Sequence, residues 1–129
     1  MQVQHKGGCH CGAVQFTVEA DEKISADRCN CSICAMSGFL HLVVPASRFK
    51  ALHGDHCMSE YTFNTDTAKH LFCRRCGIKP YYIPRSNPDG FDVNVHCLTP
   101  QPEEVTVIPF DGQNWEEHAS KLAHLSEDA

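Results

Sequence analysis

The chain has no run of lysine or arginine longer than two residues, and its formal charge is −5. A surface of that sign repels a phosphate backbone, so nucleic acid is a poor partner. No apolar run leads the chain and none is long enough to cross a bilayer, so neither secretion nor membrane insertion is expected. A Ser-His-Asp constellation, a phosphate loop, a dinucleotide fingerprint and ferredoxin-type cysteine spacings are all missing, which leaves the common hydrolase, nucleotide and iron–sulfur readings without support. Repeats, low-complexity segments and interdomain linkers are missing too. With 129 residues, 42% of them hydrophobic and 21% charged, the sequence reads as one domain over residues 1–129 with a modest core.

Cysteine is what the chain has in excess. There are nine, an odd number that suits metal binding better than a disulfide framework. Seven fall in three clusters: Cys9-His10-Cys11, then Cys29-Asn30-Cys31-Ser32-Ile33-Cys34, then Cys73-Arg74-Arg75-Cys76. A four-sulfur zinc needs two close pairs, which Cys9/Cys11 and Cys73/Cys76 supply. Each pair lies near a glycine, Gly12 or Gly77, that lets the backbone turn tightly around an ion. The trio Cys29, Cys31 and Cys34 has three readings: an open zinc with a vacant position, a closed one completed by Cys57, Cys97 or a histidine, or a reduced thiol cluster. Zinc on three thiolates carries a net −1. It is a weak Lewis acid, better suited to a thiolate or soft adduct than to hydrolysis. Two zinc ions per chain and a reducing interior, most simply the cytoplasm, are expected.

Period-two alternation predicts strands over Ala13–Glu19 and Met58–Asn64, a mostly apolar run stopped by Pro45 predicts one over Phe39–Val44, and shorter strands are expected over Lys79–Ile83, Phe91–Val95 and Val105–Ile108. Asn87-Pro88-Asp89-Gly90 has type I turn chemistry, which makes Lys79–Val95 a hairpin. One turn of helix is expected at Ala46–Lys50. A longer helix is expected at Asn114–Leu125, with Asn114 and Glu117 forming a capping box and Trp115, Ala119 and Leu122 on one face.

Other residues are weighed against plainer roles. Arg85 offers a guanidinium fork for a substrate carboxylate, or a surface salt bridge. The group Arg74, Arg75, Lys79 and Arg85 reads as a solvated loop face. His10 reads as a solvent-facing spacer or a donor to a metal ligand, His96 and Cys97 as a packed strand end or as pocket-lining or ligating residues, His41 as a satisfied sheet residue and Cys57 as an inert buried thiol.

Taken together, Gly7-Gly8-Cys9-His10-Cys11-Gly12-Ala13-Val14, Cys29-Asn30-Cys31-Ser32-Ile33-Cys34 and Phe72-Cys73-Arg74-Arg75-Cys76-Gly77 resemble the glutathione-dependent formaldehyde-activating enzyme family. The likeness runs on through Tyr82-Ile83-Pro84-Arg85-Ser86-Asn87-Pro88 and Asp92-Val93-Asn94-Val95-His96-Cys97-Leu98. Val44-Pro45-Ala46-Ser47-Arg48-Phe49 and Tyr61-Thr62-Phe63-Asn64-Thr65 look most like the branch containing centromere protein V. The resemblance implies a mainly β, Mss4-like fold of zinc-pinned antiparallel sheets with one C-terminal helix. It implies a structural zinc at Cys9, Cys11, Cys73 and Cys76 and a second, catalytic zinc at Cys29, Cys31 and Cys34. It also implies a carbon–sulfur lyase run in reverse, joining glutathione to formaldehyde as S-hydroxymethylglutathione. The small thiol or its aldehyde adduct is then the expected partner. The rival expectation is a zinc-stabilised binding module without turnover. An exposed aromatic patch on a sheet favours the module, and a pocket opening onto the trio favours the enzyme.

Overall fold

The computed structural model of the protein describes residues 2–63, 66–114 and 122–126. In chain order the strands are β1 (Gln2–Gly8), β2 (Gln15–Asp21), β3 (Lys23–Cys29), β4 (His41–Pro45), β5 (Phe49–His53), β6 (Met58–Tyr61), β7 (His70–Cys73), β8 (Tyr81–Tyr82), β9 (Gly90–Asn94) and β10 (Glu104–Phe110). A short helix, α1 (Ser32–Ser37), follows β3, and a turn of 3-10 helix occupies Ala46–Arg48. Three sheets result, ordered β1-β2-β5, β10-β3-β4-β9-β8 and β6-β7. The architecture is mainly β, as expected. Neighbouring strands run antiparallel except at one edge, where β10 lies parallel to β3.

Strand parity gives the five-stranded sheet two chemically different faces. One carries Ile24 and Ala26, Val44, Val93 and Tyr81, all buried. It packs with Val14, which precedes β2, and with Phe16 and Val18 of the three-stranded sheet in one hydrophobic cluster. Phe16 is fully buried at its centre. Its ring centroid lies 5.5 Å from Phe49, stacked, and 5.5 Å from Tyr81, edge-on, and Phe49 stacks on Phe91 at 4.4 Å. Rings in these arrangements add about 0.5–1.5 kcal/mol per pair beyond the area they bury. The opposite face carries Asp27, Cys29, His41, Val43, Tyr82 and Asp92. The register sets Asp27 across from His41, Val43 across from Asp92, and Tyr82 across from Asp92. These residues belong to the cavity described below.

The expected hairpin is formed by β8 and β9, and its turn closes through the Gly90 N–H to the Asn87 carbonyl at 3.0 Å. Asn87 is buried, and its amide donates to the Leu122 carbonyl and to Ser126 Oγ, both at 2.9 Å. The C-terminal segment is thereby anchored to the hairpin. Most of the helix expected at Asn114–Leu125 lies outside the described residues. Strands β1, β3, β5 and β7 and helix α1 were not expected. Strand β1 has a single apolar side chain, Val3, and depends on a seven-residue ladder with β2. Among the described residues, no helix is long and apolar enough to cross a membrane.

Replacing Phe16 with alanine should lower unfolding stability by about 3–5 kcal/mol, the usual cost of emptying an aromatic site in a close-packed core. Urea denaturation followed by tryptophan fluorescence and circular dichroism measures it. A loss under about 1 kcal/mol would show that the two sheets do not meet at this ring.

Candidate metal centres and the adjoining cavity

Two sulfur clusters form, and they contain the seven cysteines singled out by spacing. The Sγ atoms of Cys9, Cys11, Cys73 and Cys76 all lie within 4.8 Å of one another, as do those of Cys29, Cys31 and Cys34. In the first cluster Cys9 and Cys11 follow β1, and Cys73 ends β7. The Sγ separations are 3.6 Å for Cys9–Cys11 and 3.7 Å for Cys11–Cys73. Sulfurs around one tetrahedral ion at ~2.3 Å stand about 3.8 Å apart, whereas disulfide sulfurs stand about 2.05 Å apart. The spacing therefore suits a metal and not a crosslink. Backbone N–H groups already serve negative sulfur: Val14 donates to Cys9 Sγ at 3.3 Å and Arg75 to Cys73 Sγ at 3.4 Å. The neighbouring glycines have the left-handed conformation the tight turns require, with φ of 81° at Gly12 and 77° at Gly77.

The second cluster is local. Cys29 ends β3, Cys31 occupies the position before α1, and Cys34 lies within the helix. Positions three apart at the start of a helix share a face, so Cys31 and Cys34 turn the same way. The three thiols hold negative charge unevenly. Hydrogen bonds from Cys29 and Cys34 push the Cys31 thiol far down, while sharing with its neighbours pushes Cys34 far up. Such a set suits a cation.

The segment after β10 closes over this cluster, a feature the cysteine spacing gives no hint of. The Asn30 N–H donates to the Phe110 carbonyl at 3.3 Å, its amide donates to Asp111 Oδ1 at 3.2 Å, and Gln113 N–H donates to Asn30 Oδ1 at 2.9 Å. Gly112 is buried so close beneath it that a Cβ there would overlap Cys29 Sγ. Among the described residues, no fourth cysteine, histidine or carboxylate joins the trio at that spacing. Cys57 and Cys97, considered as fourth ligands, are not brought to it. Burial instead pushes the Cys97 thiol up to about 11, and its Sγ faces the Lys79 carbonyl at 3.9 Å.

The trio borders a cavity of about 480 Å³ whose lining includes Asp27, His41, His70, Tyr82, Arg85 and Asp92. Arg85 is thus among the residues at the cavity. An aromatic ladder forms one wall: Phe63 stacks on His70 at 5.4 Å and His70 on Tyr82 at 4.9 Å. Lys79 lies behind it, its Nζ 3.9 Å from the Tyr82 ring centroid and donating to His70 Nδ1 at 2.7 Å. Burial pushes the Lys79 amine down to about 8, and burial together with Lys79 pushes His70 down to about 4. Lys79 is therefore no part of a solvated loop face, although Arg74 and Arg75 are exposed and His10 is exposed as expected.

His41 departs from its expected role. Its Nδ1 lies 2.5 Å from Asp92 Oδ2, but Nε2 is buried with no hydrogen-bond partner among the described residues. It is a half-satisfied residue at the cavity. The alternation of Asp92 and Asn94 with Phe91 and Val93 was visible in the sequence. The position of Asp92 against His41 was not, because 51 residues separate them.

The profile of the family described as glutathione-dependent formaldehyde-activating enzyme matches residues 4–109. The chain belongs to that family. A crystal structure of a Rhodobacter sphaeroides protein, a structural genomics target, is 39% identical to this formaldehyde-activating family member. The match has a TM-score of 0.70 and covers 80% of this chain and 99% of that one. A Halomonas elongata protein named "Putative glutathione-dependent formaldehyde-activating enzyme" is 32% identical over 79 residues, 55% of this chain. The matched stretch spans 50% of that curated relative's length. The matched range of the family profile contains both sulfur clusters and every cavity residue discussed here up to Asp92.

Gly112→Ala should leave the fold and the four-sulfur centre intact while weakening metal binding at the trio by about tenfold or more, since Cys29 must move. Metal content after dialysis against a graded chelator series reads this. Equal retention in both proteins would show that the segment after β10 does not constrain the trio.

Proposed function

We propose that the protein is a zinc-dependent carbon–sulfur lyase acting on the adduct of glutathione with a small aldehyde, of the S-hydroxymethylglutathione type. The observation that carries the reading is the trio of Cys29, Cys31 and Cys34 bordering a cavity, with no fourth ligand among the described residues. Cys9, Cys11, Cys73 and Cys76 would hold a structural zinc and the trio a second one. Three protein ligands with a position left for substrate is the pattern of zinc sites that do chemistry, and four is that of sites that hold structure. When bound at the trio, zinc supplies a soft acceptor that favours a thiol in its deprotonated form.

The chain's own residues supply the rest. Cys29, Cys31 and Cys34 orient the thiol end of the substrate towards the cavity. Arg85 gives the far end a planar pair of N–H donors matched to a carboxylate. The volume of about 480 Å³ falls in the ~300–1,000 Å³ range of small-molecule sites, enough for a tripeptide and far more than an aldehyde of one carbon needs. The segment after β10 and the aromatic ladder both line the cavity. Thiol and carbonyl held side by side gain an advantage in effective concentration, which is the main help an already facile addition needs. All nine cysteines are unpaired as disulfides, which supports a reducing setting such as the cytoplasm.

A second reading has one observation in its favour. Tyr61 and Phe63 stack at 5.7 Å and are 52% and 40% exposed, an aromatic patch suited to a zinc-stabilised module that binds a protein. Phe63 also belongs to the cavity lining, so the patch is continuous with the candidate site, and the enzyme reading accounts for both.

Calorimetric titration of the zinc-loaded protein should show glutathione binding. S-methylglutathione should bind at least about tenfold more weakly because its sulfur cannot be deprotonated, and Arg85→Ala should weaken glutathione by about the 1.5–3 kcal/mol of a charge-assisted hydrogen bond. Absence of binding at millimolar glutathione would sink the reading.

A further inference from the structure

We propose that His70 donates a hydrogen bond from its Nε2–H to the substrate oxygen in this cavity, with Lys79 as the positioning residue that fixes that tautomer; the inference rests on the lyase reading above. Placement begins with the backbone. Lys69 and Ile83 form a bridge, each N–H meeting the other's carbonyl, at 2.8 and 3.1 Å, which seats the start of β7 beside β8. His70, the next residue, is thereby stacked between Phe63 and Tyr82 in the cavity wall. The Asn94 amide holds the Lys79 carbonyl at 3.1 Å, and Lys79 Nζ lies over the rings of Tyr82 and Phe39, at 3.9 and 5.1 Å. From there it donates to His70 Nδ1 at 2.7 Å. An ammonium has three donors and no lone pair, so Nδ1 accepts and the ring proton belongs on Nε2. Burial lowers the Lys79 amine only to about 8, which keeps it an ammonium at neutral pH. Burial and that cation hold His70 unprotonated, pushed down to about 4.

His70 Nε2 is open to the cavity. Among the described residues, the side-chain polar atoms that are both fully covered and without a partner are His41 Nε2 and Asp92 Oδ1. His70 Nε2 also meets no protein partner and yet is not covered in this way, so it keeps accessible surface. The residue is 5% exposed and lines the cavity. With both ring faces stacked and Nδ1 taken, the edge bearing Nε2–H is what it offers to that space. The covered atoms of His41 and Asp92 are out of reach of a ligand, and the Tyr82 hydroxyl is buried 3.5 Å from His41 Nδ1. Cys31 is near enough to His70 for charge interaction, which sets the sulfur trio and this donor at one cavity.

The reaction puts negative charge where such a donor can meet it. The thiol gives its proton to water, the thiolate electron pair forms the S–C bond, and the C=O π pair moves onto oxygen. Water then returns a proton to that oxygen. The product is the neutral S-hydroxyalkyl thioether, and nothing is oxidised or reduced. Cleavage runs the same steps backwards. The bond from Nε2–H strengthens as the oxygen gains charge, which lowers the barrier while His70 keeps its proton. The ammonium on Nδ1 polarises the ring and makes the neutral imidazole a better donor.

The test follows exchange between free and S-hydroxymethyl glutathione by magnetisation-transfer NMR on the zinc-loaded full chain. Nitrogen-15 spectra of the wild-type histidines are recorded with and without saturating S-hydroxymethylglutathione. His70→Phe keeps the stacking but removes the donor. It should lose about 10²-fold of the acceleration, the usual worth of one donor to a developing oxyanion, with metal content and glutathione affinity within threefold of wild type. Lys79→Met should lose at least about tenfold and no longer hold His70 in one tautomer, and Lys79→Arg should recover part of both. The wild-type spectrum should show His70 protonated at Nε2 and bare at Nδ1, with the Nε2–H signal moving when the adduct binds. This readout needs no variant. A wild-type Nδ1–H tautomer, an Nε2–H signal unmoved by the bound adduct, or full acceleration in His70→Phe overturns the role of His70 and leaves the lyase reading standing. Glutathione binding without any acceleration in wild type overturns the lyase reading and this inference with it.

Discussion

Four sulfurs meet across sixty residues of chain, and on the reading proposed above the rest of the molecule depends on that meeting. Cys11 and Cys73 are 62 positions apart, yet their Sγ atoms stand 3.7 Å from each other. Closing a loop of that length costs conformational entropy that no local hydrogen bond repays, and on the reading proposed above a tetrahedral ion on four thiolates would be the strongest contact available to repay it. The closure fixes the turn between β1 and β2 against the end of β7. Strand β1 has little apolar surface of its own and is held by its ladder with β2 and by this pin.

With one side of the five-stranded sheet committed to the core, its other side is free for chemistry. Alternation along β3, β4, β8 and β9 sends Ile24, Ala26, Val44, Tyr81 and Val93 into the core and Asp27, Cys29, His41, Tyr82 and Asp92 to the cavity. A one-residue slip in any of these strands would exchange the two sets. The polar face is placed by the packing of the apolar one, so the site needs no long loops to assemble it. The two metal-type clusters divide the labour. The dispersed one ties distant segments together, while the local one, set at the end of β3 and the start of α1, faces the cavity.

Much of this was legible in the residues. Metal-type spacing within Cys9–Cys11, Cys29–Cys34 and Cys73–Cys76 is local, and local geometry survives in sequence. Gly12 and Gly77 announced tight turns, and Asn87–Gly90 announced the β8–β9 hairpin. Two of the unexpected strands share a physical reason. Strand β1 has one apolar residue, and β5 is an edge strand exposed along most of its length, so neither shows the alternation that a half-buried strand displays. His41 was misread because its partner lies far along the chain, and Lys79 because the packing of Phe39 and Tyr82 around it is not visible in the sequence. A histidine among apolar neighbours looks satisfied until Asp92 is seen to take only one of its nitrogens. A lysine near two arginines looks solvated until Phe39 and Tyr82 are seen to receive it. The cover supplied by Gly112 was invisible for the same reason, since it depends on the parallel pairing of β10 with β3.

The division of labour between the clusters is tested most directly by comparing thermal melts of zinc-loaded Cys73→Ser and Cys31→Ser, with metal content measured on the same samples. The account predicts that Cys73→Ser abolishes cooperative unfolding or lowers the midpoint by tens of degrees, because the pin across 62 residues is lost. It predicts that Cys31→Ser melts within about 5 °C of wild type, on the order of 1 kcal/mol for a domain this size, while holding one metal ion fewer. Equal collapse of both variants would contradict the account, since the trio would then be holding the fold and not serving the cavity.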